Sequence, residues 1–442
     1  MRLDSFKLAH WLNARKYTVA QAADLAGLSV DVLQAILGGQ GGELGEKDAA
    51  AVACALSVAP SQLEAAADLE LTVVHHSAER MRASRRPIQR DGIHFYNYYT
   101  LAAPDGRVAP VILDILCPAD RLPALNNGHL EPAITVNLGP GDIHGRWGEE
   151  LTPETWQVLA ANTGHDRWIT GDSYIEPSYC PHSYSLASGR PARIVSYTAH
   201  SNLAALVTDA NTWSGPAFDE AVGALSSHVS AGVLLDTVLA RRVHTRASAA
   251  AVAGIPLAHL EEALTAPLSA DGMAVLRCLG RAIGFDYRFL LPPDGQRDAV
   301  GKTWATVEDA RAGQRQWGGY QAASMAAAAH LPDLAGTFLR VREAAEAGDF
   351  VDHTETHYVV IDGHLTLEWE DRESVRSVGL TADGSAWVGP FVRHRWRGDG
   401  AVLKFGSGAH VSYLDWLELS STFEPARTLR RGRRDLSGWG YE

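Results

Sequence analysis

A pattern near the N-terminus returns 227 positions later. Thr18, Ala22, Ala23, Gly27, Leu28, Leu33 and Leu37 answer to Thr245, Ala249, Ala250, Gly254, Ile255, Leu260 and Leu264 (254 − 27 = 227). In each copy a threonine can cap a short helix, small residues fill it, a glycine ends it and a second short helix comes next. Both copies continue through a further helical stretch (49–56 and 272–283) into a proline-containing exit. A chain of 442 residues is too long for one ordinary core. A repeat at this spacing predicts a unit present twice.

The stretches downstream of the two helical copies also match. From about 92 to 199 the chain breaks into short runs rich in Val, Ile, Tyr and Thr, such as Val111-Ile112-Leu113-Asp114-Ile115-Leu116 and Ala133-Ile134-Thr135-Val136-Asn137-Leu138. Gly, Pro, Asn and Asp separate them, the signature of an all-β sandwich or barrel. From about 319 to 419 the signature repeats, as in Tyr358-Val359-Val360-Ile361 and Ala401-Val402-Leu403-Lys404-Phe405. The expected fold class is α+β: a tandem duplication of a helical domain followed by a β-barrel. The expected divisions are 1–80, 81–225, 226–300 and 301–442.

The T-x-x-x-A-A-x-x-A-G-L-S pattern resembles the repressor-type helix-turn-helix. A reading helix presents Arg, Lys, Asn or Gln to base edges. Here Ser29–Leu37 carries no positive charge, and its second copy carries Glu261 and Glu262. The formal charge of −13 also argues against a polyanion partner. A retained helical scaffold is favoured over a ligand-sensing transcriptional regulator, and no nucleic-acid partner is expected. A small anionic ligand needs only a local cluster of positive groups and stays open.

No stretch approaches the roughly 20 apolar residues of a membrane helix, so no membrane partner is expected. The opening MRLDSFKLAHWLNARKY has no apolar core of a signal peptide. Four scattered cysteines, without a CxxC pair, suit free thiols in a reducing cytoplasm. The duplicated layout suggests an internal pseudo-dimer, monomeric or weakly self-associating.

The most specific local pattern runs from Gly171 through Glu176 and Pro177 to His182. It fits the second cupin motif, G-x5-P-x-G-x2-H, with Tyr179 where the second glycine is usual. Upstream, Asn126-Asn127-Gly128-His129-Leu130-Glu131 stands where the first cupin motif places its first ligand. Two imidazoles and a carboxylate on neighbouring strands form the facial triad of non-haem iron(II) oxygenases. Spacing alone leaves the carboxylate open. Alternation along a strand puts Glu131 on the face of His129, so Glu131 competes with Glu176. Cys180 is a further neighbour, read as a small buried residue. In the second half His353-Thr354-Glu355 and Gly384–His394 take the corresponding places, with Gly389 where Glu176 would stand. Without that carboxylate the second barrel reads as a scaffold.

Longer strings carry a resemblance. Arg85–Tyr99, Asn126–Pro132, Tyr174–His182, Phe391–Trp396 and Arg430–Tyr441 resemble the 2-hydroxyethylphosphonate dioxygenase family, whose relatives include hydroxypropylphosphonate epoxidase and methylphosphonate synthase. The resemblance covers the whole chain. It implies iron(II) held by His129, Glu176 and His182, with O2 as co-substrate and no 2-oxoglutarate. It implies substrate contacts from Lys16, Arg90, Tyr98 and Asn126, with Ser196 a further candidate. The reaction implied is cleavage of 2-hydroxyethylphosphonate to hydroxymethylphosphonate and formate. The resemblance to methylphosphonate synthases would imply Gln at the carboxylate position; Glu176 favours the dioxygenase, with mixed products the alternative.

Overall fold

The structure is a computed structural model. It describes all residues except 40–42, 66–71, 91, 165, 167, 226–229, 292–297, 343–347, 372–373, 407–412 and 433–442. The side chains of 90, 225, 413–414 and 430–432 also lie outside the description. Helices and antiparallel sheets share the chain, as an α+β fold requires. No described helix is long and apolar enough to cross a membrane. Two compact units result: Met1–Val74 with Pro104–Gly106 and His410–Glu442, and His75–Ala103 with Arg107–Ala409.

In the first unit, helices Ser5–Arg15, Val19–Ala26, Val30–Leu37 and Glu46–Ala55 bury Leu8, Leu12, Leu33, Val52 and Leu56 together. Thr18 and Gln21 cap the second helix reciprocally, and Gly27 ends it at φ 66, a left-handed conformation cheap only for glycine. Ser29 stands at the next N-cap, but its hydroxyl makes no capping bond.

The second unit holds the same local chemistry in helix Arg246–Ala253. Thr245 and Ser248 cap it and Gly254 ends it at φ 67. Helices Ala231–Ala240, Leu257–Thr265 and Ala270–Ile283 pack around Leu235, Leu239, Leu260 and Leu276.

The rest of this unit is β-structure. A seven-stranded antiparallel sheet runs Thr303–Ala305, Ser173–Glu176, Ala133–Pro140, Ala192–Thr198, Val111–Ile115, Ile93–Thr100, Arg86–Arg90. A three-stranded sheet of Trp156–Leu159, Ile143–Trp147 and His182–Leu186 accompanies it. Between them lie Phe95, Tyr96, Leu113, Ile115, Trp147, Tyr174 and Tyr184. A second large sheet is built on the long strands Thr356–Asp371 and His394–Gly406.

Ile134, Val136, Ile175 and Tyr197 of the first sheet share a core with Phe338, Val359, Leu403 and Phe405 of the second. The strand Ala133–Pro140 is therefore buried on both faces. That explains its nearly continuous apolar reading, which an exposed antiparallel strand would not show.

Candidate metal centre

The strand Ser173–Glu176 is buried throughout, and its alternation decides where each side chain goes. Ser173 and Ile175 point to the second sheet: Ser173 Oγ accepts the Ala326 N–H at 2.9 Å, and Ile175 joins the shared core. Tyr174 lies in the inner core of the first barrel, so Glu176, two residues on, faces inward as well. It is 2 % exposed. His182 opens the strand on the opposite sheet.

His129 lies in the loop before Ala133–Pro140, and the fold brings it close by an unusual backbone contact. Gly128 has φ 70, and a Cβ there would lie 2.5 Å from the Tyr179 carbonyl carbon. Tyr179 itself sits at φ 55 and donates its N–H to the His129 carbonyl at 2.6 Å. The tyrosine thus occupies the left-handed conformation for which the motif usually keeps a glycine.

The three side chains converge. His129 Nε2 is 3.1 Å from Glu176 Oε1, and His182 Nδ1 is 3.4 Å from Glu176 Oε2. One ligand atom from each lies within 4.8 Å of the others, the sole such cluster among the described residues. Donors placed cis on one cation, with bonds of roughly 2.0–2.2 Å, lie roughly 3 Å apart. The two imidazoles and the carboxylate therefore fit a single divalent ion, and two nitrogens with one oxygen are the donor set of a facial triad. The hydrogen bond to Glu176, opposed by burial, raises the basicity of His129.

Supporting residues hold this set. Asn126 Nδ2 is 2.8 Å from His182 Nε2, and its Oδ1 accepts the backbone N–H groups of Gly128 and His182, each at 3.0 Å. One amide thus ties both histidine segments together. Trp147 Nε1 donates to Glu176 Oε2 at 3.2 Å. Lys302 Nζ lies 4.7 Å from the Trp147 ring centroid. Neither Trp147 nor Lys302 belongs to a sequence motif, and no signal in the chain marks them.

Glu131 contributes its backbone carbonyl, 2.5 Å from His129 Nδ1. The alternation that made it a competitor does not operate, because 129–131 precede the strand, which begins at Ala133. Cys180 is buried, and burial pushes its thiol up to about 11, in keeping with a small packing residue.

The other expected contacts divide. Ser196 accepts a hydrogen bond from Thr135 Oγ1 at 2.9 Å. Thr135 pairs with Tyr174, so Ser196 looks into the same barrel interior as Glu176. Tyr98 pairs with Leu113 and Leu113 with Ile194, which alternates with Ser196, placing Tyr98 on that inner face too. Arg90 ends the strand Arg86–Arg90, beside Ile93, and its side chain lies outside the described residues. Lys16 belongs to the other unit, where it ends the first helix at φ 59 with Nζ 3.4 Å from Asn13 Oδ1.

The second barrel repeats the frame with different contents. Ala133 pairs with Glu176 and Thr198; Thr356 pairs with Val388 and Gly406. Ser385 Oγ accepts the Ala102 N–H as Ser173 accepts that of Ala326. Phe391, at φ 60, donates to the Asp352 carbonyl as Tyr179 does to His129. By these registers Asp352, Val388 and His394 stand where the first barrel has His129, Glu176 and His182. The counterparts of His129 and Glu176 are thus Asp352 and Val388, not the His353 and Gly389 that motif matching suggested; the two turns are equally long, and matching Gly384 and Pro390 to Gly171 and Pro177 set the comparison one residue off. Trp369 pairs with His394 as Trp147 pairs with His182. With valine in place of glutamate, the buried Trp369 Nε1 has no hydrogen-bond partner among the described residues.

Known proteins resemble the chain as closely as this site suggests. Residues 82–199 match the 2-hydroxyethylphosphonate dioxygenase cupin-like domain. A curated 2-hydroxyethylphosphonate dioxygenase of Streptomyces viridochromogenes is 70% identical over 442 residues, covering 100% of both chains. Native PhpD with cadmium atoms is a solved structure 68% identical, covering 98% of this chain and 100% of that one, with a TM-score of 0.88. PhpD with cadmium complexed with hydroethylphosphonate matches with the same identity, coverage and TM-score. Identity of this extent, end to end and over a barrel that assembles His129, Glu176 and His182, means that the chain belongs to the 2-hydroxyethylphosphonate dioxygenase family.

Proposed function

We propose that this chain cleaves the carbon–carbon bond of 2-hydroxyethylphosphonate with iron(II) and O2, giving hydroxymethylphosphonate and formate without 2-oxoglutarate. The observation that carries this reading is the convergence of His129, Glu176 and His182 on the inner face of a barrel that also presents Tyr98 and Ser196. The 70% identity to a dioxygenase named for this substrate supports the choice of substrate. Substrate plus O2 equals the two products in atoms, and the alcohol itself provides the four electrons, so no co-substrate is required. Held by the triad, iron(II) would supply one-electron chemistry and open positions on one face for oxygen donors.

The protein's own groups do the positioning. Asn126 Oδ1 ties together the backbone at Gly128 and His182, its amide nitrogen is assigned to the substrate on the family resemblance, and Trp147 fixes one oxygen of Glu176. Tyr98 and Ser196 offer hydroxyls to the phosphonate and the alkyl chain from the same inner face, which orients the hydroxyl-bearing carbon. Arg90 and Lys16 are assigned to the phosphonate on the family resemblance, a guanidinium fork and a point charge suited to its oxygens. The division into 1–80, 81–225, 226–300 and 301–442 is read as a tandem duplication, supported by the matched caps at Thr18 and Thr245 and the matched bonds of Ser173 and Ser385.

Iron loading without oxygen, then exposure to O2 with 2-hydroxyethylphosphonate, tests the reading by phosphorus NMR. Hydroxymethylphosphonate with one equivalent of formate is expected. Strict dependence on 2-oxoglutarate, methylphosphonate as sole product, or no turnover would overturn it.

A further inference from the structure

A buried ammonium group stands behind the carboxylate of the triad. The Lys302 side chain is 0% exposed, and its Nζ bonds Asp298 Oδ2 and Gln157 Oε1, each at 2.6 Å. An ion pair with Asp298 alone gives no reason to bury the lysine, since that carboxylate is 22% exposed. The ammonium instead reaches past its counterion to lie 4.7 Å from the Trp147 ring centroid and 5.1 Å from that of Trp304. Trp147 then donates its one N–H to Glu176 Oε2.

We infer that Lys302 is a positioning residue for Glu176 that acts through the Trp147 indole; this rests on the triad holding iron(II). A cation on the face of an aromatic ring is attracted to its electrons. The same field draws electron density from the N–H and makes it a stronger donor. A stronger bond to Oε2 leaves Oε1, the oxygen facing His129, as the one free to bind metal. A carboxylate held to one oxygen keeps more of the metal's face open to substrate than a chelating one. Groups behind metal ligands typically change affinity by about 10–100-fold.

The test is a double-mutant cycle on Lys302→Met and Trp147→Phe, read as the iron(II) dissociation constant by chelator competition in the complete chain. Trp147→Phe keeps the ring and removes the donor. Lys302→Met alone should weaken iron(II) binding by about tenfold, and in the Trp147→Phe background it should change the affinity by less than about twofold. Lys302→Arg, which keeps a charge over the ring, should restore most of the loss. Equal losses in both backgrounds would mean that Lys302 only supports the fold, and would overturn the inference. Should Lys302→Met alone not fold, the cycle is run with Lys302→Met and Asp298→Asn combined, which leaves no carboxylate unpaired. Wild-type protein that fails to bind iron(II) would refute the proposed function instead, so the two failures are distinct.

Discussion

Lys404 Nζ lies 3.0 Å from the Asp352 carboxylate, at the positions that Ser196 and His129 hold in the first barrel. Tyr358, in the place of Thr135, hydrogen-bonds His394 Nε2 at 2.7 Å. A side-chain ammonium thus satisfies the acid, a phenol caps the imidazole, and Val388 offers no oxygen. Metal analysis of iron-loaded protein should give one equivalent per chain, lost on Glu176→Ala and retained on Asp352→Ala. A value near two would show that the second barrel also binds.

Trp147 and Trp369 invite a paired substitution. An unsatisfied buried donor costs about 1–3 kcal/mol, and Trp369 Nε1 is such a donor. Trp369→Phe removes it and gives up some packing, so the change in unfolding free energy should stay within about 1 kcal/mol, with iron(II) affinity unaltered. Denaturant titration checks the first and chelator competition the second. A loss of iron binding would mean that the two tryptophans are not equivalent.

Much of this was legible in the residues. Thr18, Gly27, Thr245 and Gly254 announce the helical pairs because caps are local chemistry. His129, Glu176 and His182 are legible as a set because a strand and a turn fix their spacing. The choice between Glu131 and Glu176 was not, since it depended on whether 129–131 is strand or loop. Trp147 and Lys302 were invisible for a related reason. Their roles come from contacts across the barrel, 29 residues apart for Trp147 and Glu176 and 145 for Lys302 and Gln157. The equivalence of Val388 with Glu176 needed the strand register, because the glycine and proline of the second copy, Gly384 and Pro390, stand one residue away from the places of Gly171 and Pro177.

Gly128 should be the most sensitive glycine of the site. Alanine there would meet the Tyr179 carbonyl carbon at 2.5 Å and the Cys180 nitrogen at 2.7 Å, both backbone atoms. Relief requires the His129 loop and the 177–182 turn to part, which separates two ligands. Gly128→Ala should weaken iron(II) binding by more than about tenfold. Gly254→Ala is the control: at φ 67, with nothing within 4 Å among the described residues, it costs only backbone strain, about 1 kcal/mol. Equal effects of the two on iron binding would show that the close contact does not hold the site.

Two buried histidines should make the fold sensitive to mild acid. Burial pushes His357 down to about 4, with Glu355 opposing, and its Nε2 has no hydrogen-bond partner among the described residues. Burial likewise pushes His394 down to about 4, with Asp352 and Asp349 opposing and Lys404 assisting. Both are neutral when folded, whereas in the unfolded chain they titrate near 6.5. Above that pH they do not affect stability. As pH falls from 6.5 towards 4 the unfolded chain takes up protons that the folded one refuses, so stability declines, by up to about 3 kcal/mol for each histidine. His129 has the opposite sign. Its raised basicity gives a contribution present below 6.5 and lost as pH rises through the folded value. Comparing wild type with His357→Leu cancels the His129 part. Urea midpoints of metal-free protein between pH 6.5 and 5 should fall further for wild type than for His357→Leu, the difference being the share of His357 alone. Parallel curves would mean that His357 accepts a proton inside the fold, which its place against Tyr197 and beneath the shared core of the two sheets makes costly.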